Sequence, residues 1–232
     1  MNEEPRRDVV SSGNSEIDGR MGGGIPVRSL TLIDGDSSAG KSVLIQQLIW
    51  GSLNDDHTAC LFTTENSVRS LITQMQSLDL DVLDFLLLNK FKVYPMPVTR
   101  LKETGFPLLL QAISREQASD LVFLDSLTFL FFDALDEEIL AFCERCKFLC
   151  SQGMSILMVV HSHALKPSLL IRLRSLCDCH LRLRTEELGE KLVKTLEVSK
   201  VRGADKTTGN IVSFEIEPGW GMRIIPISKA SV

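Results

Sequence analysis

Ser29-Leu30-Thr31-Leu32-Ile33-Asp34-Gly35-Asp36-Ser37-Ser38-Ala39-Gly40-Lys41-Ser42-Val43-Leu44 is the stretch that decides the architecture. Residues 29–34 are mostly apolar, as a strand buried on both faces is. Residues 39–50 set Val43, Leu44, Leu48 and Ile49 at helical spacing. Between them, Gly35-Asp36-Ser37-Ser38-Ala39-Gly40-Lys41-Ser42 matches G-x-x-x-x-G-K-[ST] in full. The two glycines permit a tight turn in which backbone N–H groups point inward around an anion. The helix that follows adds its positive N-terminal end. In this pattern Lys41 reaches the β- and γ-phosphates and the Ser42 hydroxyl is a ligand for Mg2+. A chance match in a Gly/Ser-rich loop is the competing reading, and the strand and helix on either side argue against it. The reading is an ATP-type triphosphate with Mg2+, held by Gly35, Asp36, Ser37, Ser38, Ala39, Gly40, Lys41 and Ser42.

Outward from this stretch, apolar strands are expected at residues 58–63, 91–94, 121–125 and 155–160. Helices are expected at residues 68–75, around 108–114 and at 137–152, with a short helix starting near Ser15. Strands that are apolar throughout and alternate with helices predict an α/β fold with a mostly parallel central sheet covered on both faces. From Leu181 onward the character changes. Residues 192–200, 211–216 and 222–227 read as strands separated by Gly-containing turns, an antiparallel extension of the sheet. No repeat or linker divides the 232 residues, so one domain is expected over 1–232, with the polar residues 1–12 a loose arm.

Composition narrows the class. Apolar residues make up 44% and charged residues 24%, the balance of a chain with a sizeable core. Net charge is −5, whereas a domain that coats nucleic acid by bulk charge carries a basic excess. The most apolar run, residues 121–132, is too short for a membrane span and contains Asp125. The charged N-terminus lacks a signal-peptide core, so the six cysteines read as reduced thiols in a cytoplasm.

Two further acids belong to the phosphate loop by position. Asp125 ends its apolar strand, as does an acid that holds Mg2+ through water, and a turn-capping Asp is the competing reading. Glu65 follows the second strand, on the ligand side of a parallel sheet, where it could polarise an attacking water; a solvated loop glutamate is its alternative.

Taken together, Gly22-Gly23-Gly24-Ile25-Pro26, the phosphate loop, Thr64-Glu65, Leu124-Asp125-Ser126 and Ser199-Lys200-Val201-Arg202-Gly203 resemble the RecA/KaiC superfamily of P-loop ATPases. With His161 after the fifth strand and a single-domain length, the chain is similar to that superfamily's archaellum-motor branch. The resemblance implies an ATP-binding regulatory subunit. Its partners would be the motor ATPase FlaI and a membrane platform protein, with nucleotide occupancy governing assembly. It also implies a cytoplasmic protein held at the membrane only through that complex. Lys200 and Arg202 match positions that reach a neighbour's γ-phosphate in ring-forming relatives, so a homo-oligomeric ring is implied; a basic surface strand is the alternative. KaiC-type relatives carry paired acids after the second strand, but here neutral Asn66 follows Glu65, which implies slow hydrolysis or binding alone. A DNA-repair ATPase and an autophosphorylating signalling ATPase are the alternatives.

Three other groups of residues have the composition of a site. Cys143, Cys146 and Cys150 share one helix face, and Cys177 and Cys179 precede His180; buried thiols explain them better than zinc. His161 and His163 sit where a γ-phosphate sensor would, or are loop histidines. Arg172, Arg174, Arg182 and Arg184 form a basic cluster with no aromatic to stack on bases, which disfavours nucleic acid.

Overall fold

A computed structural model describes residues 8–188, 191–203 and 210–225. The chain opens with a two-residue strand, β1 (Val9–Val10), paired antiparallel with β2 (Ile25–Pro26). Between them lies α1 (Ser15–Arg20), whose first turn is capped by the Asn14 side chain accepting from the Glu16 and Ile17 N–H groups. The expected loose arm is therefore corrected over residues 8–12. Val10 is fully buried, and the Asp18 carboxylate ties down Ser11 Oγ at 2.6 Å and Ser12 Oγ at 2.7 Å. Residues 1–7 lie outside the described residues.

The main layer order then unfolds as β3 (Leu30–Gly35), α2 (Lys41–Asn54), β4 (Ala59–Thr63), α3 (Val68–Ser77), α4 (Leu83–Leu87) and β5 (Phe91–Pro95). Next come α5 (Val98–Arg115), β6 (Leu121–Asp125), α6 (Thr128–Phe132), α7 (Asp136–Ser151) and β7 (Ser155–His161). A 3-10 turn (Ser162–Ala164) leads to α8 (Pro167–Leu176), β8 (Cys179–Leu188), β9 (Lys191–Val201), β10 (Ile211–Glu217) and β11 (Gly221–Ile225). Helix α5 is broken at Gly105 (φ 57°, ψ −162°), two residues before Pro107, which cannot donate to the preceding turn.

The nine-stranded sheet runs β11-β10-β9-β8-β3-β7-β6-β4-β5. From β8 to β5 every pairing is parallel, and from β8 to β11 every pairing is antiparallel. Strands β3, β4 and β6 are buried at every position, as apolar runs in a doubly covered sheet require. One apolar layer joins α2, α3 and the C-terminal strands to one face, with Leu44, Leu48, Leu181 and Phe214 among its members. The other joins α5, α7 and α8 to the opposite face. Cys143, Cys146, Cys150 and Cys177 are part of that second layer. All six cysteines are free and buried, and no metal-binding cluster of His, Cys, Asp or Glu occurs among the described residues. No helix among them is long and apolar enough to cross a membrane.

The sequence reading did not include α4, α6 or β8. The first two are five-residue helices, too short to show a period. Strand β8 alternates Cys179, Leu181 and Leu183 inward with His180, Arg182 and Arg184, a period-two pattern that the basic cluster obscured. The last expected strand ends at Ile225; residues 226–227 lie outside the described residues.

Candidate nucleotide site

Four strand ends converge. β3, β4, β6 and β7 all point their carboxyl ends to one edge of the sheet, where an open α/β sheet takes its ligand. β3 delivers the phosphate loop, β4 delivers Glu65, β6 ends in Asp125, and β7 ends in His161. The loop's shape depends on its glycines. A Cβ at Gly35 would lie 2.0 Å from Leu183 O, because β8 runs against the strand's last residue. Gly40, at φ 96°, takes a left-handed conformation as the N-cap of α2, which leaves the first N–H groups of the helix facing the loop.

Lys41 is 5% exposed and donates from Nζ to Gly35 O at 3.3 Å and to Asp36 O at 2.5 Å. Burial lowers its pKa, opposed by the carboxylates of Glu65, Asp125, Asp36 and Asp34. Ser42 Oγ donates to Glu65 Oε2 at 3.2 Å. Asp125 is 3% exposed, and its Oδ1 has no hydrogen-bond partner. Burial, reinforced by the neighbouring Glu65, pushes the Asp125 carboxyl up to about 7, against the pull of Ser42 and Lys41. Glu65 and His161 approach to 3.9 Å. Burial, with Lys41 adding to it, keeps the His161 imidazole below its ordinary pKa. His163 stacks edge-on against His161 at 5.6 Å between ring centres. Lys41, Ser42, Glu65, Asp125 and His161 thus meet in one place. Asn66 turns away from it, its Oδ1 accepting from Ser70 Oγ at 2.9 Å on α3.

Lys200 and Arg202 are elsewhere. Lys200 pairs with His180 near the start of β8, whereas the loop passes Leu183 farther along that strand. Its ammonium is spent on three carbonyls at the end of α8, those of Arg174 (3.1 Å), Ser175 (3.2 Å) and Cys177 (2.5 Å). Arg202 is more than half exposed and pairs loosely with Asp178 at 3.4 Å. Neither reaches the phosphate loop of its own chain, and Lys200 is fully engaged within it.

Sequence reasoning missed Asp34. Wholly buried at the end of β3, it receives His180 Nε2 at 2.6 Å, Arg174 Nε at 2.9 Å, Arg174 Nη2 at 3.1 Å and Ser162 Oγ at 3.1 Å. Arg182 Nε stands 3.6 Å away. Burial alone would raise this carboxyl, but the hydrogen bonds and charges of His180 and Arg174 outweigh it and hold the pKa at about 2. The usable signal was an acid closing an apolar strand, which demands a partner. The basic cluster supplied it: Arg174 and Arg182 face Asp34, and Arg184 pairs with Glu197 at 3.1 Å.

Comparison with known proteins gives the family and the fold. The family described as the KaiC-type ATPase matches residues 10–229. Among curated proteins, the archaeal flagellar ATP-binding protein FlaH of Sulfolobus acidocaldarius is 27% identical over 226 residues, covering 95% of this chain and 98% of that one. FlaH of Methanocaldococcus jannaschii is 27% identical over 222 residues, covering 93% and 94%. The crystal structure of the flagellar accessory protein FlaH from Methanocaldococcus jannaschii superposes with a TM-score of 0.79 at 24% identity, covering 97% of each chain, and so shares the fold. With a family match that spans nearly every residue from the first short strand to the last, this chain belongs to the KaiC-type ATPases.

Proposed function

We propose that the chain is an ATP-binding regulatory subunit of an archaellum motor, and that nucleotide occupancy governs its assembly with the motor ATPase FlaI and a membrane platform protein. The observation that carries the reading is Asp125 Oδ1, a buried carboxylate oxygen without a partner beside Lys41, Ser42 and Glu65. A chain does not keep an uncompensated buried acid for stability. An external cation satisfies it, and a hard, oxygen-seeking one suits a hydroxyl and a carboxylate. Ser42 and Asp125 would therefore hold Mg2+, whose chemistry when bound is to neutralise phosphate charge. The curated relatives are named as ATP-binding proteins of archaeal flagella, which supports the same ligand and the same setting.

Within the chain, Gly35, Asp36, Ser37, Ser38, Ala39 and Gly40 would present backbone N–H groups to phosphate, and Lys41 would exchange its loop carbonyls for phosphate oxygens. Glu65 would orient a water. Hydrolysis would be slow, since Asn66 contributes no second acid and points at α3. Arg202, the exposed member of the Lys200–Arg202 pair, would serve a neighbouring copy in a ring, with Lys200 holding its strand end. The protein would be cytoplasmic, at the membrane only through its complex.

Isothermal calorimetry with magnesium and ATP tests the ligand on wild type, Lys41→Ala and Asp125→Asn, expecting binding by the first alone. A wild type that gives no heat overturns the nucleotide reading. FlaI binding that is equal with and without ATP overturns the regulatory one.

A further inference from the structure

Arg174 is held from two sides. Its guanidinium grips Asp34 with two donors, at 2.9 and 3.1 Å, directly under the phosphate loop. Its carbonyl accepts from Lys200 Nζ at 3.1 Å, two residues before Arg202. Arg202 is tied to the same end of the helix, its N–H donating to Asp178 O at 3.1 Å. Four elements therefore meet on two side chains. Asp34 belongs to β3, Arg174 to α8, His180 to β8, and Ser162 to the turn after His161.

We infer that Asp34 and Arg174 are positioning residues that couple filling of the phosphate loop to the Lys200–Arg202 end of β9, so that occupancy is registered at a surface remote from the ligand. The inference rests on the nucleotide reading above. Gly35 and Asp36, which accept from Lys41, are the two residues that follow Asp34 in the chain. A phosphate competes for that ammonium, and a change at Gly35 is transmitted to a carboxylate with no slack. Asp34 is fully buried and both of its oxygens are engaged, so it moves only with its partners. The guanidinium carries the motion into α8, and Lys200 and the Asp178 carbonyl carry it to Arg202. Such a line needs its two ends to respond together, which is measurable.

The test is amide hydrogen exchange of the whole chain with and without magnesium and ATP, in wild type, Arg174→Met and the control Arg172→Met, which changes an exposed arginine on the same helix. In wild type and control, nucleotide slows exchange in the loop and, by about tenfold, in residues 173–178 and 198–203, a ratio ordinary for coupled sites. In Arg174→Met the loop remains protected and the ratio at the far end falls to within about twofold of one, whereas a merely structural role would change exchange equally with and without nucleotide. Arg174→Lys, which keeps the charge but loses the two-point grip, carries the same test if Arg174→Met folds poorly. A far-end response that survives either substitution overturns the inference, as does a wild-type loop that is protected while residues 198–203 are not. No protection of the loop in wild type overturns the nucleotide reading itself, and the coupling with it.

Discussion

Replacing Asp125 by Asn should stabilise the ligand-free protein while abolishing its response to Mg-ATP. The carboxyl is 3% exposed, and burial together with Glu65 raises it from 3.8 to about 7. An acid raised on folding is better tolerated protonated, so stability is lost as pH climbs from about 4 toward 7. At pH 7 a shift of roughly three units amounts to about 4 kcal/mol. Asparagine removes the charge at nearly the same shape. It forfeits part of the Ser42 interaction and brings an amide that needs its own partner, so the net gain should be about 2 kcal/mol. For a chain of this size that is a rise in Tm of roughly 4–8 °C. Scanning calorimetry at pH 7 and pH 5 reads it directly, and the difference between variant and wild type should shrink at the lower pH. With saturating Mg-ATP the order should reverse, because only wild type gains ligand stabilisation. An Asp125→Asn protein that melts below wild type without nucleotide would refute the argument that this acid is uncompensated.

Asp34 should behave oppositely under acid. Its carboxyl is depressed to about 2, so wild type should lose about 2 kcal/mol as pH falls from 4 to 2, followed by urea unfolding, while Asp34→Ala should cost about 3–5 kcal/mol at pH 7 by stranding Arg174 and His180. Gly35→Ala drives a Cβ to 2.0 Å from Leu183 O and should cost more than about 3 kcal/mol in the same assay; a loss under about 1 kcal/mol would contradict the close strand approach. Lys200→Met should destabilise by about 1–3 kcal/mol, because three carbonyls lose their donor, whereas Arg202→Ala, at an exposed pair, should stay within about 0.5 kcal/mol. Thiol titration of the native protein should find no fast-reacting cysteine, since all six are buried and burial raises Cys143, Cys146 and Cys177.

Most of the parallel core was legible because its inner strands are mostly apolar runs, as burial on both faces requires. Residues 58–63 became β4 and residues 121–125 became β6, within a residue at each end. The phosphate loop was legible for a different reason: its conformation is written in residue type, two glycines and a lysine at set spacing, and needs no tertiary information. What sequence could not supply was pairing between distant charges. Arg174 and Arg182 read as one basic cluster because nothing local says that α8 and β8 both close on Asp34, which lies 140 and 148 positions before them. Lys200 was singled out by resemblance for a neighbour's phosphate, and its contacts within the chain are with helix-terminal carbonyls, a partner that no motif spells out.

Asp34 and Asp125 are the same residue type at the same kind of place, the last or next-to-last position of a buried parallel strand, and their environments separate them by about five units of pKa, at about 2 and about 7. The difference lies in whether the chain itself surrounds the acid with cations. Around Asp34 the chain brings Arg174 from α8 and His180 and Arg182 from β8, so the charge is neutralised within the chain. Around Asp125 it brings Lys41, which faces the loop carbonyls, and a second acid, Glu65, so the charge is left over. Two titratable groups driven apart in this way mark the division of labour in a site. The satisfied acid ties the floor of the cradle to α8. The unsatisfied one makes the protein less stable than it could be, and under the proposed function that deficit would give a cation-bearing nucleotide its leverage over the fold.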